Sequence, residues 1–93
     1  MIKTFKSKET EKIYAGIVSR RLPIDIQQVV RRKLRQLNNA EILDDLRIPP
    51  ANRLEALKGE YKGLHSIRVN NQWRIMFRFV GGDVFDVEII DYH

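Results

Sequence analysis

The side chains best suited to chemistry stand together in the segment VEIIDYH, where Asp91, Tyr92 and His93 follow an apolar run. A carboxylate, a phenol and an imidazole are the groups that most often exchange protons with a substrate. Burying the carboxylate and the imidazole as structural groups would require polar partners that the apolar run does not offer. We therefore predict that these three residues form an acid/base cluster at the rim of a sheet.

Cationic side chains are expected to lie beside this cluster, because in WRIMFRF large apolar residues occupy every second position and two arginines lie between them. Alternation puts the aromatic and aliphatic residues on the side that meets the helices and leaves Arg74, Met76 and Arg78 on an open face. The residues predicted to face the core are Trp73, Ile75, Phe77 and Phe79. A basic floor next to an acid/base group suits a phosphodiester, and RNA supplies its own nucleophile, the 2′-hydroxyl. With two histidines and no cysteine the sequence offers no obvious metal site, and we expect neither a metal nor another cofactor.

The two-residue period of the strands also fixes the expected lengths of the turns. A three-residue turn over 70–72 would set Arg68 opposite Arg74, and a three-residue turn over 81–83 would set Arg78 opposite Asp86 and Arg74 opposite Ile90. That second turn also directs Phe85, Val87 and Ile89 towards the core. Under this arrangement the arginines and the segment 91–93 converge on one side of the sheet.

Two helices are expected ahead of these strands. Ser7 is suited to start a short first helix, and Pro23 to start a second helix from about 23 to 38. The apolar positions of the second helix follow the helical period at Ile26, Val29, Val30, Leu34 and Leu37. MIKTF resembles a short opening strand, whereas RLEALKG, HSIRVN, QWRIMFRFV and DVFDVEII predict an antiparallel meander. The fold class is therefore α+β, with two N-terminal helices packed on a mostly antiparallel sheet of four to five strands.

The bulk composition fits one globular domain over residues 1–93. Without an apolar run of membrane-spanning or signal-peptide length, we expect a cytoplasmic protein that has no membrane partner. The net charge of +5 is uneven, since residues 1–39 carry ten basic and three acidic side chains. This half is the better docking surface for a polyanion such as nucleic acid, although a solvated helix face would have the same composition.

Taken together, NRLEALKG, HSIRVNNQWRIMFRF and the terminal DYH resemble the HigB-type toxins of the RelE/ParE superfamily. The resemblance implies a RelE-like fold and a ribosome-dependent endonuclease that cuts messenger RNA in the A site by attack of the 2′-hydroxyl. It implies catalytic roles for Arg74 and for Asp91, Tyr92 and His93, with Lys58 as a further phosphate contact. We place Arg68 and Glu55 with Lys58 at the RNA-binding surface. Some relatives have a histidine at the position of Glu55.

The proton-transfer roles are predicted as follows. The α-carboxylate carried by His93 would favour its imidazolium form, which makes His93 the expected general acid, with Asp91 or Glu55 as base. His65 is expected to pack beside Ile67 rather than to act in the site.

Two other functions remain open at this point: a non-enzymatic DNA gyrase poison, as in the ParE branch, and a basic RNA-binding module without catalysis. The resemblance also implies a helix-turn-helix antitoxin of the HigA type as partner. Operator DNA would be contacted only through that antitoxin, while the toxin itself would meet the ribosome and messenger RNA.

Overall fold

The computed structural model describes residues 1–91; the predictions for Tyr92 and His93 lie outside the described residues. Two helices pack on one face of a four-stranded sheet whose order is β1-β2-β3-β4, each neighbouring pair antiparallel. The elements are α1 (Lys8–Tyr14), α2 (Ile24–Asn39), β1 (Glu55–Ala56), β2 (His65–Arg68), β3 (Trp73–Val80) and β4 (Asp83–Asp91). The predicted α+β architecture, two N-terminal helices on an antiparallel sheet of four strands, is confirmed.

Both helices begin where their capping residues predict. The Ser7 hydroxyl accepts a hydrogen bond from the backbone N–H of Thr10 (3.3 Å), which satisfies one free donor of the first turn of α1. Gly16, with φ 86°, ends this helix, and the N–H of Ile17 then returns to the carbonyl of Lys12 (2.8 Å). Pro23 immediately precedes α2. The apolar face of α2 forms the helix side of the core, with Ile26, Val30, Leu34 and Leu37 all buried.

β1 is much shorter than the predicted strand RLEALKG. Arg53 adopts a left-handed conformation (φ 45°) at the end of a short 3₁₀ turn, Pro50–Asn52, so the ladder cannot start before Glu55. A second 3₁₀ turn, Gly59–Tyr61, follows closely and limits the strand on the other side. The segment between β1 and β2 is instead a loop closed by a hydrogen bond from Leu57 N–H to the Leu64 carbonyl (2.9 Å).

The turn between β2 and β3 is confirmed as a three-residue turn. Arg68 pairs with Arg74, and the N–H of Val69 donates to the Trp73 carbonyl (2.9 Å) across residues 70–72. Asn70 shapes the turn because its side-chain oxygen accepts from the backbone of Gln72 and of Trp73, at 2.8 Å each. Ile67, Ile75 and Phe77 are consequently fully buried against the helices.

The turn between β3 and β4 is one residue shorter than predicted, and a bulge absorbs the difference. Val80 pairs with Asp83 across Gly81 and Gly82, and the register shifts between Met76 and Arg78 where Asp86 has φ 56°. The prediction for Phe85 was therefore wrong, because it lies opposite Arg78 while Val84 takes the core position. Beyond the bulge the predicted pairing of Arg74 with Ile90 is confirmed.

Arg78 lies opposite Phe85 rather than Asp86, so its predicted strand partner was also wrong. The predicted ion pair forms nevertheless, with Arg78 Nε 3.4 Å from Asp86 Oδ2, and the guanidinium stacks over the Phe85 ring at 4.9 Å.

The opening segment MIKTF, predicted as a short strand, does not form a continuous strand. It runs parallel to β4 and makes two isolated bridges, Ile2 with Val84 and Phe5 with Val87. Among the described residues, no helix is long and apolar enough to cross a membrane.

Candidate active site

A groove of about 490 Å³ lies on the face of the sheet that the helices leave uncovered. Met76, almost fully buried, lies in it on β3 and pairs with Glu88 of β4. The loop after β1 covers one side with Leu57 and Tyr61. The lining residues are Lys6, Leu57, Tyr61, Met76, Glu88, Ile90 and Asp91. The groove thus combines an apolar centre with charged groups at its edges.

Arg74 lies on this same face, two residues from Met76, but it is not the exposed side chain that the alternation predicted. It is only 5% exposed. Its Nε donates to Ser66 Oγ (2.8 Å), and its Nη2 donates to the carbonyls of Arg53 (2.6 Å) and Ser66 (3.3 Å). The expectation of an open face was wrong here because the segment before β1 brings the Arg53 carbonyl over the guanidinium. The consequence is a cation held in one orientation.

Glu55 provides a carboxylate beside that cation. Its Oε2 lies 3.7 Å from Arg74 Nη2, and it reaches this position because Glu55 pairs with Ser66 across β1 and β2. The Glu55 side chain is about half exposed whereas that of Arg74 is buried. The pair therefore places one solvent-accessible acidic oxygen next to an immobilised positive charge.

Asp91 lies at the end of β4, opposite Trp73. Its Oδ2 accepts a hydrogen bond from Gln72 Nε2 (3.1 Å), and the residue borders the groove. Ile90, rather than Asp91, is the residue opposite Arg74, and Asp91 reaches the groove from the end of the strand. The backbone of β4 thus runs beside Arg74, and the convergence of the arginines with the chain end stays a prediction.

Lys58 and Arg68 occupy different surroundings. Lys58 is exposed and immediately precedes the 3₁₀ turn Gly59–Tyr61, next to the groove-lining Leu57. Arg68 is half-buried, faces Arg74 across β2 and β3, and donates to the side chain of Asn71. Arg68 therefore adds positive charge beside Arg74, while Lys58 adds it on the covering loop.

His65 is placed by packing, as expected. Its ring stacks on Phe77 with centroids 6.3 Å apart and planes at 25°. Burial, and secondarily the positive charge of Arg47, lowers the pKa of His65 below its ordinary value of 6.5. Its Nδ1 finds no hydrogen-bond partner within residues 1–91. This imidazole is therefore neutral at pH 7 and lies on the core side of the sheet.

Sequence reasoning missed Ser66, which holds Arg74 and is fully buried. The alternation of side chains in HSIRV could have indicated Ser66, because it places Ser66 on the same face of the strand as Arg68. It also missed Tyr61 and the Lys6–Glu88 ion pair (3.7 Å) at the groove edge, for which the sequence carries no local signal. The arrangement as a whole offers a fixed cation for a negatively charged oxygen and carboxylates able to accept a proton.

Known proteins of related sequence match most or all of this chain. Residues 3–93 match the family described as HigB-like toxin, RelE-like toxin of type II toxin-antitoxin system HigB. The chain is 47% identical over 79 residues to Toxin HigB-1 of Vibrio cholerae, covering 84% of this chain and 83% of that one. It is 31% identical over 93 residues to Endoribonuclease HigB of Proteus vulgaris, covering all of both chains.

A solved structure supports the fold independently of sequence. The heterotetrameric YoeB-YefM toxin-antitoxin complex from Staphylococcus aureus contains a chain that matches with a TM-score of 0.63 at 14% identity, covering 100% of this chain and 98% of that one. With the family matching nearly all of the sequence and the fold agreeing, this chain belongs to the HigB-like family of RelE-like toxins of type II toxin-antitoxin systems.

Proposed function

We propose that this toxin is a ribosome-dependent endoribonuclease that cuts messenger RNA through attack of the 2′-hydroxyl on the neighbouring phosphate. The observation that carries the proposal is the fixed guanidinium of Arg74 beside the accessible carboxylate of Glu55, at the uncovered sheet face that holds the groove. A buried, preoriented cation stabilises charge that develops on a phosphoryl oxygen, because it does not have to reorganise during the reaction.

In the proposed reaction the 2′-oxygen forms a bond to phosphorus as the bond from phosphorus to the 5′-oxygen breaks. The proton of the 2′-hydroxyl passes to Glu55 or Asp91, and the leaving 5′-oxygen takes a proton from His93, with Tyr92 completing the catalytic group. The products are a 2′,3′-cyclic phosphate and a 5′-hydroxyl. Lys58 and Arg68 would neutralise phosphates on either side of the cut.

A toxin of a type II system has an antitoxin partner. We assign that role here to a helix-turn-helix protein of the HigA type, through which the complex would contact operator DNA. Action on translating ribosomes would place the toxin in the cytoplasm. The excess of basic side chains in residues 1–39 supports contact with ribosomal RNA, and such contact should weaken as salt rises.

The proposal is tested by incubating the purified toxin with programmed ribosomes and with the same RNA alone, followed by mapping of the cut ends. We expect cuts on ribosomes only, and 2′,3′-cyclic phosphate termini. Glu55→Gln should slow cleavage about 10²–10⁴-fold if Glu55 is the base. Glu60→Gln is the matched control, since Glu60 is also an exposed glutamate close to β1, whereas the carboxylate that pairs with Arg74 in the described part of the chain is that of Glu55.

Inhibition of DNA gyrase without any RNA cleavage would contradict the proposal in favour of a ParE-like poison. Equal cleavage by the wild type and Glu55→Gln would leave the nuclease intact and assign the base to another group, Asp91 first.

A further inference from the structure

Aliphatic side chains are presented to solvent on the helix side of the molecule, away from the groove. Ile17 and Val18, in the segment that joins α1 to α2, are 56% and 59% exposed. They border a concavity of about 170 Å³ that extends to Ile13 and to Gln28 and Arg31 of α2. An aliphatic pair beside a preformed depression has the character of a protein-docking surface.

This segment is held firmly in place. The side chain of Gln27 is buried; its amide donates to the carbonyls of Ser19 (2.8 Å) and Leu22 (3.0 Å), and its oxygen accepts from Ser19 N–H (2.9 Å). Ser19 Oγ donates in turn to Glu9 Oε1 (2.7 Å). Ile17 and Val18 are therefore exposed on a segment that is already ordered. Binding a partner there would cost this segment little conformational entropy.

Arginines flank the aliphatic pair. Arg31, Arg32 and Arg35 line a second concavity of about 210 Å³, which shares Gln28 and Arg31 with the first. In the described part of the chain none of these three arginines forms an ion pair, and the buried Arg31 Nε finds no acceptor. The Arg31 guanidinium lies against Gly16, where an added Cβ would be 3.1 Å from Nη2. Arg31 is thus packed against Gly16 with its buried Nε unpaired in the described part of the chain.

We infer that Ile17, Val18, Arg31, Arg32 and Arg35 form the docking surface for an amphipathic acidic segment of the antitoxin. Aliphatic residues of the partner would cover Ile17 and Val18, and its carboxylates would pair with the arginines. RNA would use only the arginines of this surface, because its phosphates gain nothing from the exposed aliphatic groups and the surface contains no aromatic side chain on which a base could stack.

The test is a titration of the full-length toxin with the antitoxin encoded beside it, measured by calorimetry, and it does not depend on RNA cleavage. Val18→Asp should weaken binding about 10–100-fold by putting a charge into the aliphatic contact, and Arg31→Glu should weaken it to a similar degree. Ile42→Asp is the matched control, since Ile42 is also 59% exposed and lies outside this surface. Thermal unfolding of each variant identifies any loss that comes from misfolding.

Unchanged antitoxin affinity in folded Val18→Asp and Arg31→Glu would overturn the inference. So would normal antitoxin binding combined with a loss of cleavage on ribosomes, which would reassign the surface to ribosomal RNA. Equal losses in Val18→Asp and Ile42→Asp would show a general effect of surface charge and would also overturn it.

Discussion

Replacing Arg74 with lysine separates the structural contribution of this residue from its proposed catalytic one, because the charge remains while the planar set of donors is lost. Arg74 uses Nε for Ser66 Oγ and Nη2 for the carbonyls of Arg53 and Ser66. A single ammonium group cannot occupy both nitrogen positions, so at least one buried hydrogen bond to a charged donor is lost. Such a bond contributes about 1.5–3 kcal/mol. We expect the free energy of unfolding to fall by about 2 kcal/mol and Tm by about 8–16 °C.

The variant should remain folded at 25 °C, since a domain of this size is stable by about 5–14 kcal/mol. If the guanidinium stabilises the transition state, single-turnover cleavage on programmed ribosomes should nevertheless fall about 10–100-fold. Ser66→Ala is the control, because it removes one of the same hydrogen bonds and keeps the guanidinium. Wild-type cleavage by folded Arg74→Lys would refute the catalytic role. Equal loss in both variants would reduce Arg74 to a residue that maintains the sheet.

Three further changes test other parts of the structure. Asp86→Val should lower the free energy of unfolding by about 1–2 kcal/mol in chemical denaturation, because a β-branched residue is disfavoured at φ 56°; equal stability would argue against the bulge. The lowered pKa of His65 means that the unfolded chain binds its proton more tightly, so stability should fall as pH drops through 6.5 towards the folded pKa. His65→Leu should flatten that decline in denaturation curves from pH 7.5 to 5, and an unaltered slope would contradict the assignment. Gln27→Ala should accelerate hydrogen exchange of the Ser19 amide and weaken antitoxin binding; retained protection would show that other contacts hold the segment.

Most of the fold could be predicted because strong local signals agreed with each other. Ser7 and Pro23 marked both helix starts, and the alternation of the two strands required the three-residue turn that sets Arg68 opposite Arg74. The error at Phe85 arose because GGD accommodates a two-residue or a three-residue turn equally well. The alternation of side chains shows that there is one extra residue between the two strands. It does not show whether that residue lies in the turn or in a bulge within the strand.

The candidate site was predicted in composition but not in environment. Alternation correctly placed Arg74 on the face away from the helices, yet its burial depends on the carbonyl of Arg53, which lies 21 residues earlier. No local pattern encodes that approach, which follows from the left-handed conformation of Arg53 and from the short β1. The groove likewise depends on Tyr61 in a loop that reads as an ordinary connection.

The bulge at Asp86 also determines where the gene can gain or lose a codon. Two residues of β4 lie opposite one residue of β3 there, so deleting Asp86 would leave a regular ladder in which Val87, Ile89 and Asp91 keep their sides. A single deletion between Val87 and Asp91 would instead exchange inward and outward side chains for the rest of the strand. Insertions and deletions among homologues should therefore be found before Val87, towards Gly81 and Gly82, and be absent between Val87 and Asp91.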